Sequence, residues 1–221
     1  MNKREFKDAV YQELAKISKA LANPHRLEIV DLLAQGPFSV EVIADYTGMS
    51  VANASQHLQV LKKAQLVETS KDGNFIFYHL RNEKVFAAWR SLRELGMENN
   101  TEIEGLVKDF RSNFHNLAPI SAEDLLEKIG KNQVLVLDVR PEAEFNRGHI
   151  HSALSMPYDK IIKRIRELSK ESEIIAYCRG PFCIYADQAV KILTEYGYKA
   201  NRLSEGFPDW MSKGYPVEKA V

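Results

Sequence analysis

SVEVIADYTGMSVANASQHLQVLKKAQLVETSKDGNFIFYHL, residues 39–80, changes its hydrophobic period partway along. Ser39 precedes a short helical run, VEVIADYT. Gly48 breaks that run, and Ser50 precedes the next, VANASQHLQVLKKAQ. Serine is a favoured residue at both starts because its hydroxyl accepts a hydrogen bond from a free N–H of the first turn. From Leu66 the spacing becomes extended, with two runs flanking Asp72-Gly73, which signals a hairpin. Two short helices, 39–46 and 50–63, meet at Gly48-Met49 and lead into a hairpin. That order is a helix-turn-helix followed by a wing.

The flanking segments are helical. FKDAVYQELAKISKAL places Phe6, Val10, Leu14, Ile17 and Leu21 at three- and four-residue spacing. Asn23-Pro24 opens a second helix, since Asn caps and Pro is pre-set for the first turn. That helix carries Leu27, Ile29, Val30, Leu32 and Leu33 and stops at Gly36-Pro37. Asn82 caps a longer helix with Phe86, Trp89, Leu92 and Leu95. Between Tyr46 and Val67 there is no Asp or Glu, while Lys62 and Lys63 are present. Phosphates repel carboxylates, so an acid-free helix suits nucleic acid. Ser50, Asn53, Ser55, Gln56, His57 and Gln59 are polar groups suited to phosphates and base edges. Double-stranded DNA is the partner these residues imply.

At this point the sequence resembles the ArsR family of bacterial repressors. The match runs from LANPHRLEIVDLLAQG through the hairpin, with S-x-H-L-x-x-L-x-x-A-x-L-V over Ser55–Val67 as its specific part. The resemblance implies a homodimer built from the first and last helices, with two recognition helices in successive major grooves of a near-palindromic operator. One departure stands out. SVEVIADY has no cysteine and NEKVFAAWRSLRELGMEN has no histidine, where metal-sensing members place their ligands. Arsenite needs thiolates, and zinc needs imidazole or thiolate. No metal is expected at this domain, so an effector is to be read elsewhere.

Elsewhere means residues 119–221. Ser121 caps SAEDLLEKIG. VLVLDV (134–139) and IIAYC (174–178) are nearly continuous apolar runs, as buried parallel strands are. KIIKRIREL and YADQAVKILTEYG are helical patterns between and after them. Alternating strands and helices give a parallel sheet covered on both faces. Both cysteines of the chain, Cys178 and Cys183, lie in YCRGPFC at the carboxyl end of a strand, where open α/β sheets place their sites. Gly180 permits unusual dihedrals, and Pro181 stiffens the turn. Arg179 is the one nearby positive charge, with no acid from Ile174 to Ala186. Backbone N–H groups and a following helix aimed at the sulfur would favour a thiolate at Cys178, the reactive form.

This half resembles the rhodanese domain. LDVRPEAEFNRGHIHSALSMP (137–157), YCRG (177–180) and EGFPDWMSKGYPVE (205–218) match its signatures in order. The resemblance implies that Cys178 accepts sulfur and cycles between thiolate and persulfide, with Arg179, Gly180, Pro181, Phe182 and Cys183 forming the active-site loop. The donor would be a small sulfur compound: thiosulfate, a persulfide or a polysulfide. Relatives that handle phosphate place Arg six positions after the cysteine. Here that position is Ile184, which argues against a phosphatase. Cys183 is placed to resolve a persulfide or sulfenic acid on Cys178 if their Cα atoms lie within about 7 Å. Asp138 and Arg140 are read as an ion pair at the rim of the site. His149-x-His151 has a metal-pair spacing, but His149 belongs to the G-H-I signature. Phe207 and Trp210 are read as core or pocket wall.

These halves set the expected organisation of the 221 residues: 1–98 a mainly α winged helix-turn-helix, 99–118 a connecting helix and linker, and 119–221 an α/β rhodanese-like domain with a parallel sheet. Ile103, Leu106, Val107 and Phe110 form a stripe on the connecting helix. Formal net charge is zero, so any DNA-binding surface is a local patch. Two cysteines do not make a disulfide scaffold and fit a reducing cytosol. The charged N-terminus and the lack of a long apolar run point to a cytoplasmic protein with no membrane partner. No cofactor is expected. The leading expectation is a repressor that senses or carries sulfur through Cys178. The competing one is a working sulfurtransferase with an attached DNA-binding domain.

Overall fold

The computed structural model describes residues 1–112, 114 and 118–219. Positions 113 and 115–117 of the expected linker, and 220–221 of the expected second domain, lie outside the described residues. The chain divides into two compact units, Met1–Arg93 and Glu94–Val221.

In the first unit, α1 (Lys3–Leu21) starts from a capping box in which Asn2 and Glu5 satisfy each other's backbone N–H groups. Then come α2 (Pro24–Leu33), β1 (Phe38–Ser39), α3 (Val40–Tyr46), α4 (Val51–Lys63), β2 (Val67–Asp72), β3 (Phe75–Leu80) and α5 (Glu83–Asn99), whose last residues, from Glu94, belong to the second unit. The Ser39, Ser50, Asn23 and Asn82 side chains each accept a first-turn N–H, as the sequence predicts. Gly48 sits at φ 63° between α3 and α4, a conformation that a β-carbon disfavours, so the turn depends on glycine. The hairpin register runs from Val67 opposite Leu80 to Asp72 opposite Phe75. This leaves a two-residue loop, Gly73-Asn74, with Gly73 at φ 57°. β1 adds to β3 and completes the wing sheet. The core joins Ile29, Val30 and Leu33 of α2, Ile43 of α3, Ala54, Leu58 and Leu61 of α4, and Phe86 and Trp89 of α5. Trp89 Nε1–H donates to Asp31 at 2.7 Å, so its polar edge is satisfied as its ring is buried.

Of the α1 stripe, Leu21 packs against this core and the four residues before it stay out. Phe6 is 53% exposed and Leu14 51%, and Val10 and Ile17 are exposed with them.

The second unit contains α6 (Thr101–Ser112), α7 (Ala122–Gly130), β4 (Val134–Asp138), α8 (Glu142–Arg147), β5 (His149–Ile150), β6 (Leu154–Ser155), α9 (Ile161–Arg164), β7 (Glu173–Tyr177), α10 (Tyr185–Glu195), β8 (Ala200–Arg202), α11 (Phe207–Ser212) and β9 (Val217–Glu218). The helix expected over KIIKRIREL is one α turn between two 3-10 turns. The parallel sheet has the order β6-β4-β7-β8, and β5 pairs separately with β9. Register sets β4 against β7 so that Asp138 lies opposite Tyr177. Alternation then sorts side chains to two faces. Ile174, Ala176 and Cys178 pack with Ala189, Val190 and Leu193 of α10, while Ile175 and Tyr177 pack with Leu125, Phe207 and Trp210. Phe207 and Trp210 are thus core residues.

Candidate functional site

The outward face of α4 follows from its inward one. Ala54, Leu58 and Leu61 occupy one stripe and are fully buried. Asn53, Gln56, Gln59, Lys62 and Lys63 are exposed opposite them, with Ser50 at the exposed cap. Ser55 and His57 are half-buried. The His57 ring lies 5.4 Å from that of His25, and its pKa is lowered by burial, then by His25 and Arg26. Lys62 Nζ donates to Thr69 Oγ1 at 2.9 Å, tying the end of the helix to the wing. The structure therefore gathers all eight polar residues on one helix and its cap, six fully at the surface and two partly withdrawn.

The cysteine loop is built from longer-range contacts. Cys178 follows the last residue of β7 and is 2% exposed. Its carbonyl accepts the N–H of Phe207 at 3.1 Å, and Cys183 N–H closes a turn on the Gly180 carbonyl at 3.0 Å. Cys178 and Cys183 are joined as a disulfide with Cα atoms 6.3 Å apart, inside the range such a bridge requires. Gly206 backs the loop. A β-carbon there would stand 2.0 Å from the Arg179 carbonyl oxygen and 2.4 Å from the Gly180 nitrogen. Only glycine lets the closing segment approach so near.

Arg179 does not stand as a lone cation beside the sulfur. Its guanidinium grips Glu144 of α8 in a fork, with bonds of 2.6 to 3.2 Å, and Glu144 is buried. The acid lies 35 positions upstream, so the acid-free window around Cys178 gave no sign of it. The loop is anchored through this pair, and the charge of Arg179 is matched.

Asp138 and Arg140 pair at 2.6 Å, but the expected place is corrected: both are 0% exposed, so the pair is buried and does not form an open rim. Arg140 Nη2 also donates to the Gly148 carbonyl at 2.7 Å, and its guanidinium lies 4.2 Å from the centre of the Phe207 ring. Tyr177 donates its hydroxyl hydrogen to Asp138 and accepts the N–H of Ile150. Burial would pull the Arg140 pKa down, but the Asp138 carboxylate reverses this and the net direction is up. Tyr177 is pushed well above its ordinary range by burial and then by Asp138, so the phenol stays neutral. The His149 ring stacks on Phe145 at 3.7 Å, Nδ1 meets the Phe145 carbonyl at 2.9 Å, and Nε2 lies 3.5 Å from Glu218.

A third set of contacts went unread in the sequence. Arg111 of α6 donates to the Pro181 carbonyl and lies 3.7 Å from Asp187 of α10, which also binds Arg202 at 2.7 Å. Leu106, Val107 and Phe110 of α6 face Pro181, Phe182, Cys183 and Ile184 across a cavity of about 250 Å³. Single arginines on a helix and a strand gave no signal of this cluster.

The two units define a class of protein: a winged helix-turn-helix joined to a rhodanese-fold unit. Residues 21–70 match the profile of a helix-turn-helix domain, and residues 121–213 that of the rhodanese-like domain. An HTH-type transcriptional regulator of Mycobacterium tuberculosis is 35% identical over 215 residues, 97% of this chain and 94% of that protein. A sulfurtransferase of Allochromatium vinosum is 32% identical over 100 residues, 44% of this chain and 92% of that protein. The solution structure of a homodimeric winged helix-turn-helix DNA-binding domain from Mycobacterium bovis, described as a possible ArsR-family regulator, is 39% identical with a TM-score of 0.42, covering 45% of this chain and 91% of that one. The chain belongs to the family of transcriptional regulators in which an ArsR-like helix-turn-helix domain precedes a rhodanese-like domain. Among the described residues no helix is long and apolar enough to cross a membrane.

Proposed function

We propose that this protein is a homodimeric, cytoplasmic repressor that reads sulfur chemistry through Cys178 and binds operator DNA through α4. The observation that carries the sensing half is the cysteine pair itself: two thiols five positions apart, Cα atoms 6.3 Å apart, at the carboxyl end of a parallel strand. The Cys178 thiolate attacks the outer sulfur of a persulfide or polysulfide, RS–SH. Cys178–S–SH forms, and RS⁻ leaves. The Cys183 thiolate then attacks the Cys178 sulfur, and hydrosulfide leaves as the disulfide closes. In a reducing compartment such a bridge is a transient signal rather than a structural staple. The exposed stripe of Phe6, Val10, Leu14 and Ile17 on α1, with exposed Leu92 on α5, supports dimerisation through the first and last helices of the domain. For the modification to act, it must favour one DNA-binding state over another.

The test is operator-fragment binding at one fixed salt concentration by the reduced protein, the polysulfide-treated protein and a Cys178→Ser variant. Treatment is expected to shift affinity in the wild type alone. Equal binding by all three sinks the sensing reading. The second reading, a working sulfurtransferase, is favoured by the likeness to the Allochromatium protein. Turnover of thiosulfate with cyanide that is indifferent to operator DNA would support it.

A further inference from the structure

We propose that the cavity between α6 and the cysteine loop is a thiol-exchange site, at which a small apolar thiol opens the Cys178–Cys183 disulfide by attack on Cys183. This rests on the reading that the cysteine pair cycles, and it concerns how the pair is reset.

Access selects the sulfur. Cys178 is 2% exposed, enclosed between the sheet and α10. Cys183 is half-buried, and it is the cysteine that lines the cavity of about 250 Å³. Attack on Cys183 releases Cys178 as the thiolate.

The walls select the thiol. Leu106, Val107 and Phe110 on one side and Pro181, Phe182 and Ile184 on the other are apolar, and the charged members of the lining are Arg111 and Asp187. Leu106 is 72% exposed, at the open side. Asp187 faces two guanidiniums, Arg111 at 3.7 Å and Arg202 at 2.7 Å, so two positive charges meet one negative and the cluster is net positive. The Asp187 carboxylate that an incoming thiolate would meet is thus matched by guanidiniums, and the substituent of the thiolate is buried among apolar side chains. The size suits a molecule of a few heavy atoms and not a protein surface.

The step balances without another oxidant. R′S⁻ bonds to the Cys183 sulfur. The Cys178–Cys183 bond breaks, and its electron pair leaves on Cys178. A second R′SH attacks the mixed disulfide, giving R′S–SR′ and the Cys183 thiol.

The experiment uses the full chain, oxidised with diamide so that it does not depend on any sulfur donor. Propanethiol and 2-mercaptoethanol each react with it, and each rate is divided by that thiol's rate with glutathione disulfide. Samples are acid-quenched early and alkylated. Trypsin cutting after Arg179 puts the cysteines on separate peptides. The expected result is an R′S adduct on Cys183, alkylation on Cys178, and a preference of about tenfold for propanethiol, the scale that burying one or two methylenes supports. Leu106→Glu, at an exposed helical position, is expected to abolish the preference, and Leu106→Gln to reduce it. An adduct on Cys178, equal normalised rates, an unchanged Leu106→Glu variant, or failure of diamide to form the bridge would each overturn the proposal. None of these results touches DNA affinity, so the sensing reading stands or falls separately.

Discussion

The recognition helix and the cysteine loop position their chemistry in opposite ways. On α4 the polar groups stand at the surface, placed by helix geometry and an apolar stripe beneath. Each of Asn53, Gln56, Gln59 and Lys63 can be altered without disturbing Leu58 or Leu61. The cysteine loop is held by groups far away in sequence and mostly buried: Asp138 with Tyr177 and Arg140, Glu144 with Arg179, Asp187 with Arg111, and Gly206 against Arg179 and Gly180. A surface array fails one contact at a time. A buried array fails as a unit, because removing one member leaves its partner desolvated and unpaired.

The sharpest way to break the contrast is at its buried end. Arg140→Ala leaves the Asp138 carboxylate uncompensated in the core, at a cost of about 3–5 kcal/mol to the second unit. The double change Asp138→Leu with Arg140→Met removes both charges and is expected to recover much of that loss. Denaturant melts followed by tryptophan fluorescence measure both. If the single and double variants melt together, the pair does not act as a pair. Gly206→Ala comes next. Its β-carbon meets backbone rather than a movable side chain, so the loop must shift, and overpacking of this kind costs about 1–3 kcal/mol or more. Cys178 in this variant is expected to lose the protection from alkylation that its burial gives it.

At the exposed end, Gln56→Ala and Lys63→Ala are expected to leave the melt within about 0.5 kcal/mol of wild type. If α4 reads DNA as proposed, Gln56→Ala costs about 1–3 kcal/mol of operator affinity where it reads a base. Lys63→Ala weakens binding to all sequences alike and reduces the salt slope by about one. A large stability loss from either would erase the contrast.

The same contrast explains what the sequence disclosed. Caps, the Gly48 turn, the hairpin and the α4 face are local events, and each is written in a few adjacent residues. The parallel strands were legible as apolar runs, and the cysteine loop as the motif between strand and helix. The partners of that loop were not. Glu144 stands in the E-F signature and Gly206 in the closing E-G-F segment, so the motifs marked their positions without showing what they touch. The spacing D-x-R predicts a pair of Asp138 with Arg140 and not the depth at which it lies. Depth comes from the β4–β7 register and from Phe207 closing over the guanidinium.

The smallest effect separates burial from sequence distance as the cause of cost. Glu123, in the first turn of α7, accepts from Lys213 Nζ and from the Tyr215 hydroxyl, both at 3.0 Å and about ninety positions away. Its pKa is lowered to about 2, first by the hydrogen bond from Lys213 and then by its own backbone N–H and by Tyr215. The contact is as long-range as those of the cysteine loop, but the carboxylate is 60% exposed. A depressed folded-state pKa means the ionised form stabilises the fold. That contribution is fully present above the unfolded value near 4.5 and is lost as pH falls through about 2. Solvent screens the interaction, so Glu123→Gln is expected to cost below about 1 kcal/mol at neutral pH. The gap between wild type and variant should narrow as pH drops from 4.5 toward 2, read as urea midpoints across that range. A gap that stays constant would mean the charge contributes nothing. A gap as large as that of Arg140→Ala would mean sequence separation, and not burial, sets the cost of losing a partner.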